Sequence, residues 1–454
     1  MNNFDLVVRN GQVITSNGMA RGDVAVLDST IVELGARIAG SGATEVEATN
    51  LYVFPGGIDP HVHFQEPGHT EWEGFATGSQ ALAAGGMTLV FDMPLDCRPP
   101  TIDGESFDRK LAAVQASSLV DFAFWGGLIP GNLDRMEELA ARGVIGFKAF
   151  MANGTEDFPA VDDLTLYQGM RRCAELGCLM AVHAENEQIT TRLAEQATAA
   201  GRTGPRDFLA SRPAVAENEA ISRALLFAEE AKCPLHIVHV TTGKGVALVA
   251  AAHARGVNVS CETCPQYLVL AEDDIDDLGV LGKCSPPLRP AAEPARLWEY
   301  IRDGVLGIVA SDHSACTADG DTGTNFFAFM GGISGCQSTR PLLLEHGYAQ
   351  RGISLPTIAA ITATTAARRF NIPAKGEIAV GYDADLALVD VGEQSILQAT
   401  DLLYRHKRSA YVGKAMRGRI VRTYVRGTAV YADRRVVSPP IGRLVTPRDT
   451  HARG

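Results

Sequence analysis

Six side chains in this sequence are of types that hold divalent metal ions or respond to them: His61, His63, Lys148, His183, His239 and Asp312. Neutral imidazoles and carboxylates are ordinary ligands of zinc and similar ions, and a well-placed carboxylate can also move protons. His61 and His63 stand two residues apart, so an extended backbone points both rings to one side. Lys148, within Gly146-Phe147-Lys148-Ala149-Phe150, is the odd member, because burying an uncompensated ammonium is costly. Two accounts of it stand: an ion pair with a neighbouring acid, or a neutral amine converted by carbon dioxide into a metal-ligating carbamate.

These residues form one site only if the elements that carry them converge. From Tyr52 onward, apolar strands alternate with longer Ala-, Glu- and Leu-rich segments, the rhythm of βαβ units around a parallel sheet. Eight strands are predicted, over 53–58, 88–92, 121–125, 146–149, 179–182, 235–240, 257–261 and 307–310. The fold class is therefore α/β, with a closed (β/α)8 TIM barrel as the leading topology. An open doubly wound sheet is the alternative, but its phosphate-binding G-x-G-x-x-G turn is missing. On the barrel map, His61 and His63 follow strand one, Lys148 ends strand four, and His183, His239 and Asp312 end strands five, six and eight. Catalytic groups of barrels sit at these carboxyl ends, so all six are expected on one face.

Both ends of the chain have a different texture. In the first fifty residues short β-type runs at 6–8, 13–15, 24–27 and 31–34 alternate with Asn10-Gly11 and Asn17-Gly18, the pattern of an antiparallel meander. Short strands return after about residue 375, at 381–389, 420–425 and 429–431. Residues 1–54 and 371–454 are expected to join into a small composite β-sandwich domain beside a barrel domain spanning 55–370.

With 46% hydrophobic and 21% charged residues, the chain can bury a sizeable core. A net charge of −12 argues against nucleic acid or an anionic membrane as partner. The opening Met1-Asn2-Asn3-Phe4-Asp5 lacks the basic and apolar regions of a signal peptide, and no apolar run reaches membrane-spanning length, so a cytoplasmic protein is expected. Nine irregularly spaced cysteines look like reduced thiols, and the isolated Cys261/Cys264 pair lacks the second pair that a structural zinc site needs.

The sequence also resembles the cyclic amidohydrolases, the group containing allantoinase, hydantoinase, dihydropyrimidinase and dihydroorotase, over nearly its whole length. The motifs that carry the likeness are Pro55-Gly56-Gly57-Ile58-Asp59-Pro60-His61-Val62-His63, Glu66-Pro67-Gly68, Gly85-Gly86-Met87-Thr88, Met93-Pro94, Gly146-Phe147-Lys148, His183-Ala184-Glu185, His239-Val240 and Ser311-Asp312-His313-Ser314. The resemblance implies hydrolysis of a cyclic amide or ureide C–N bond in a small-molecule substrate. His61, His63 and Asp312 would hold one divalent ion, zinc with cobalt or manganese as alternatives, and His183 and His239 a second. Lys148 would bridge them as a carboxylysine, a hydroxide shared by the metals would attack, and Asp312 would serve as acid and base. Glu185 and His313 are candidate partners that orient these groups. A homodimer or homotetramer is also implied.

Gln65 stands where dihydroorotase-like proteins place an arginine, and Asn153 where dihydropyrimidinases and D-hydantoinases carry a tyrosine. Both disfavour those substrates. Glu71-Trp72-Glu73-Gly74-Phe75, Lys283-Cys284-Ser285-Pro286-Pro287, Gly331-Gly332-Ile333-Ser334-Gly335 and Tyr404-Arg405-His406-Lys407 are similar to allantoinase segments instead. The implied substrate is allantoin, with a hydantoin as the alternative. Gln65, Asp96, Asn153, Ser285 and Gly332 are the candidate substrate contacts, the last two through the backbone. Asp96, Gln266 and His69 depart from the allantoinase pattern, which usually has asparagine, histidine and arginine there.

Overall fold

The strand predicted over 53–58 is two strands, because Gly56 divides it. The Gly56 amide donates to the Asp385 carbonyl at 2.7 Å, and a Cβ at this position would lie 2.2 Å from the Thr88 hydroxyl, so only glycine fits. Tyr52–Pro55 turns to one sheet and Gly57–His63 begins another. The computed structural model describes residues 4–152, 154–315 and 325–447.

The first sheet gathers both ends of the chain. Its path runs Arg435–Val436, Thr428–Ala432, Ala415–Val425, Leu386–Ile396, Tyr52–Pro55, Phe4–Thr15, Gly18–Leu27 and Thr30–Gly35, with Gly42–Glu47 also paired to Phe4–Thr15. The antiparallel meander holds for 4–35 only, since Gly42–Glu47 and Tyr52–Pro55 both run parallel to the first strand. Asn10-Gly11 is not a turn but a bulge within one continuous strand, where Asn10 takes φ 60° and the register shifts between Val8 and Gly11. Alternate side chains Leu6, Val8, Val24, Val26, Leu386 and Leu388 form one buried layer, as the two-residue period of a strand requires.

The remaining strands are parallel. One set orders as His313–Ser314, Gly57–His63, Met87–Asp92 and Asp121–Phe124; the other as Gly126–Gly127, Phe147–Phe150, Met180–His183, Leu235–Ile237 and Val259–Cys261. Trp125 separates the sets, and the Ile145 amide donates to the Phe124 carbonyl at 2.9 Å across the gap. The predicted eighth strand is reduced to a single parallel bridge between Thr263 and Val309. Beyond it the Ser311 amide is given to the Asp59 carboxylate at 3.0 Å and Asp312 turns to φ 48°, which interrupts the pairing until His313–Ser314 joins Gly57–His63.

These strands are buried on both faces, and alternate residues sort into two clusters. Ile58, Leu89, Phe91, Ala123, Trp125, Ala181 and Val238 pack together on one side, while Val62, Val90, Phe122, Phe124, Phe147, Val182 and Ile237 meet the helices. Several helices start on side-chain caps: Asp103 accepts from Ser106, Asp162 from Thr165, Asn186 from Ile189 and Thr242 from Gly245. No helix among the described residues is long and apolar enough to cross a membrane.

A buried ion cluster joins the two regions. Lys375 Nζ lies 2.6 Å from Asp121 and 2.8 Å from both Asp383 and Asp385, and Arg426 pairs with Asp121 from the other side. Removing the ammonium leaves three carboxylates facing one another with little solvent. Lys375→Met is therefore expected to destabilise the protein by about 3–5 kcal/mol, read by denaturant unfolding, and an unchanged midpoint would show that the cluster contributes nothing.

Candidate metal centre

Strand Gly57–His63 sets Asp59, His61 and His63 on one side of the chain by its two-residue period. Asp59 is a carboxylate the motif reading passed over, although the same period points to it. It accepts hydrogen bonds from the Ser311 amide at 3.0 Å and the His61 amide at 3.4 Å, which pins the segment before Asp312 against the strand. Burial pushes its pKa up to about 7. Asp312 Oδ1 then lies 3.2 Å from His61 Nε2 and 3.5 Å from His63 Nε2. The ligand atoms of these three residues all fall within 4.8 Å of one another.

His183 and His239 complete the other half. His183 Nδ1 faces His239 Nε2 at 3.0 Å, the His239 ring centroid is 5.4 Å from that of His61, and Phe150 stacks on His183 at 4.7 Å. Lys148 Nζ is fully buried and has no hydrogen-bond partner among the described residues. Burial lowers its pKa to about 8, even though Asp312 and Glu262 favour the charged form. Its charge helps burial to depress His61, His183 and His239. The structure thus brings together all six residues singled out in the sequence.

Three of the four imidazoles are backed by a carboxylate. His61 Nδ1 meets Glu262 at 2.6 Å, His63 Nδ1 meets Asp96 at 2.9 Å, and His183 Nε2 meets Glu185 at 2.9 Å. With the proton held on the far nitrogen, the opposite nitrogen of each ring turns a lone pair to the centre. Burial opposes ionisation of Glu185, but the Arg212 guanidinium beside it holds it down at about 2. Burial likewise opposes protonation of His63, yet Asp312 and Asp96 raise it to about 9, a sign of negative charge that a cation would neutralise. Four imidazoles, a carboxylate and an unpartnered buried amine form a donor set that fits divalent metal. Glu262 was not singled out from the sequence, although it follows the seventh predicted strand directly and so obeys the same carboxyl-end rule as the others.

The backbone is strained at the same place. Gln65, Asp96, His239 and Asp312 all take positive φ, of 55°, 61°, 40° and 48°, a region that non-glycine residues visit rarely and that clusters at functional sites. Gln65 is buried and donates to the Ser314 hydroxyl at 3.3 Å. The Gly332 amide donates to the Lys283 carbonyl at 2.8 Å. Ser285, with Arg212, Lys283, Phe208 and Gly331, lines an 870 Å³ cavity that none of the four histidines lines but whose Arg212 pairs with Glu185, and Asp96 borders a smaller one of 180 Å³. Asn153 lies outside the described residues. Cys261 and Cys264 are buried thiols whose pKa values burial raises, so they are unreactive.

A profile of the amidohydrolase family matches residues 52–430. The chain belongs to this family. It is 56% identical over 449 residues to a protein named allantoinase from Rubrobacter xylanophilus, covering 99% of each chain. It is 50% identical over 445 residues to another so named from Solibacter usitatus, covering 98% of this chain and 97% of that one. Among solved structures, an L-hydantoinase (dihydropyrimidinase) from Arthrobacter aurescens superposes with a TM-score of 0.95 at 33% identity, over 98% of this chain and 100% of its own.

In this amidohydrolase the Asp96 contact has a measurable consequence. Asp96→Ala frees the His63 ring to rotate and removes the proton acceptor on its far nitrogen. Metal retention is expected to weaken roughly 10–100-fold, measured by competition with a chelator. Asp96→Asn, which can still accept that proton, should fall between, and retention unchanged in the alanine variant would exclude the orienting role.

Proposed function

We propose that this amidohydrolase opens the ureide ring of allantoin to allantoate by hydrolysing a ring C–N bond. The observation that carries the reaction class is the convergence of four imidazoles, Asp312 and the unpartnered Lys148 amine on one buried point. The choice of ring is supported by the identity with proteins named allantoinase over nearly the full length of both chains.

The donor set suits two divalent ions, zinc or alternatively cobalt or manganese. His61, His63 and Asp312 would hold one, His183 and His239 the other, and Lys148 as a carbamate would join them. When bound, such a pair polarises an amide carbonyl and lowers the pKa of water. The protein's own part is proton movement and exclusion of water. Asp312 takes a proton from the attacking water and delivers it to the ring nitrogen as the C–N bond breaks. Glu262, Asp96 and Glu185 hold three rings in the tautomer this arrangement needs. Gln65 offers a neutral amide, suited to an uncharged ring, where a charged fork would select a carboxylate. Backbone groups at Ser285 and Gly332 would meet the planar edge of the ring, with Asp96 nearby.

The two parallel sets of strands, linked at Phe124 and at the Thr263–Val309 bridge, support a closed barrel over 55–370. The sheet formed by 1–54 and 371–454 would be a composite sandwich. A homodimer or homotetramer is the expected assembly, read by light scattering.

The likeness to L-hydantoinase supports a second reading, cleavage of a substituted hydantoin. Purified protein incubated with allantoin, hydantoins and dihydrouracil, with divalent metal and bicarbonate supplied, separates the two. Turnover of allantoin well above the others is the expected result, and a hydantoin preferred over allantoin overturns the first reading.

A further inference from the structure

His313 follows Asp312 directly but faces away from the metal ligands, and its surroundings define a separate role. The ring is fully buried, packed 5.6 Å from Phe64 and 4.9 Å from Tyr404 between ring centroids. Its Nδ1 accepts a hydrogen bond from the Gly335 amide at 3.2 Å. A nitrogen that accepts carries no proton, so Nε2 must bear it. Nε2 faces the Glu73 carboxylate at 3.5 Å, a charge contact longer than a good hydrogen bond, and neither atom has a hydrogen-bond partner among the described residues. Glu73 is itself fixed: its other oxygen accepts from the Arg405 amide at 3.1 Å, and its carbonyl accepts from the Arg405 side chain at 2.7 Å.

The loop on the far side of His313 is the one that carries Gly332. It is suspended from neighbours of the site at several points. The Gly332 amide donates to Lys283, the Ser314 amide donates to Ile333, Ser409 donates to the Ser334 carbonyl at 2.6 Å, and the Gln337 amide donates to the Tyr404 hydroxyl at 3.0 Å. Among the described residues two side chains connect this loop to the turn that holds the proton-carrying Asp312: the Ser334 hydroxyl, which donates to the Ser314 carbonyl at 3.4 Å, and the buried His313 ring.

We infer that Glu73 and His313 are a positioning pair: Glu73 fixes the tautomer of His313, and His313 Nδ1 sets the distance between Asp312 and the backbone that grips the substrate ring. Neither residue is among the groups proposed above to hold metal or meet the ring. It acts by holding two parts of the site in register, with Tyr404 and Arg405 bracing it from the C-terminal segment. This inference rests on the hydrolase reading above, so the wild-type enzyme is assayed alongside the variants.

His313→Ala is expected to raise KM for the ring by roughly tenfold or more, with a smaller fall in kcat, because it loosens a binding edge and leaves the metal ligands in place. His313→Asn, whose side-chain oxygen can accept from the Gly335 amide, should recover most of the loss, at unchanged metal content. Equal impairment in the two variants would mean the ring acts only by filling space, and a KM within twofold of wild type in both would dismiss the pair altogether. Should the alanine variant not fold, nitrogen-15 NMR of histidine-labelled wild-type enzyme decides the matter. The Nε2-protonated tautomer of His313 is expected, and the Nδ1-protonated form overturns the inference. If wild-type enzyme hydrolyses no ring, the hydrolase reading fails, while the NMR result still tests the pair.

Discussion

Lys148→Ala is expected to abolish ring hydrolysis, with a loss of roughly 10³-fold or more, equivalent to about 4 kcal/mol of transition-state stabilisation. A fully buried amine with no hydrogen-bond partner is unfavourable unless it is put to use, and here it sits among four imidazoles and Asp312. Burial favours the neutral amine, which is the form that attacks carbon dioxide. A carbamate formed there would turn an orphaned donor into a two-oxygen ligand centred between the halves of the site. The measurement is turnover of allantoin together with metal content, with and without added bicarbonate. Protein stripped of carbon dioxide should regain activity when bicarbonate is returned. An ion-pair role for Lys148 predicts no response to bicarbonate, and wild-type turnover by the alanine variant removes the residue from the mechanism.

Much of this site was legible in the sequence because its ligands obey one geometric rule. Each lies at or near the carboxyl end of an apolar run, and runs such as Met87–Asp92 are buried on both faces, so they read as unbroken hydrophobic stretches. His61, His63, Lys148, His183, His239 and Asp312 could all be placed from that rule alone. What failed was local. The split at Gly56 depends on contacts with Thr88 and Asp385, one of them more than three hundred residues away, and no local pattern contains them. Asn10-Gly11 has the composition of a hairpin turn, but Asp23 accepts the Asn10 amide at 2.8 Å and holds it as a bulge. The eighth strand keeps only the Thr263–Val309 bridge, with the Val309 amide given to Ile361 and the Ser311 amide to Asp59.

The supporting carboxylates were harder to read for the same reason. Glu185 lies two residues from its histidine and could be found by inspection. Glu262 and Asp96 lie far in sequence from His61 and His63, and only the folded chain brings each within 3 Å of its ring. Asp96 also explains its own departure from asparagine in chemical terms: an ionised acceptor holds the His63 proton more strongly than an amide oxygen does. Candidate ligands can therefore be read along the chain, while the shell around them is a property of the fold.

The second large effect is expected at Asp312. Asparagine is the informative replacement, because Asp312 takes φ 48° and asparagine tolerates that left-handed backbone where alanine does not. The amide keeps the shape and one ligand oxygen but cannot carry a proton from water to the leaving nitrogen. The predicted loss in kcat for Asp312→Asn is about 10²- to 10⁴-fold, the range that general acid–base catalysis supplies. KM should change far less, since proton transfer is an interaction made only in the transition state. Loss of metal would mimic this result, because Asp312 Oδ1 also faces His61 and His63. Metal content after loading with excess zinc separates the two causes. A variant that retains its metal, binds substrate normally and turns over within tenfold of wild type would falsify the assignment of the proton to Asp312. The duty would then fall to another carboxylate, and Asp96 is the one against His63 that borders a cavity.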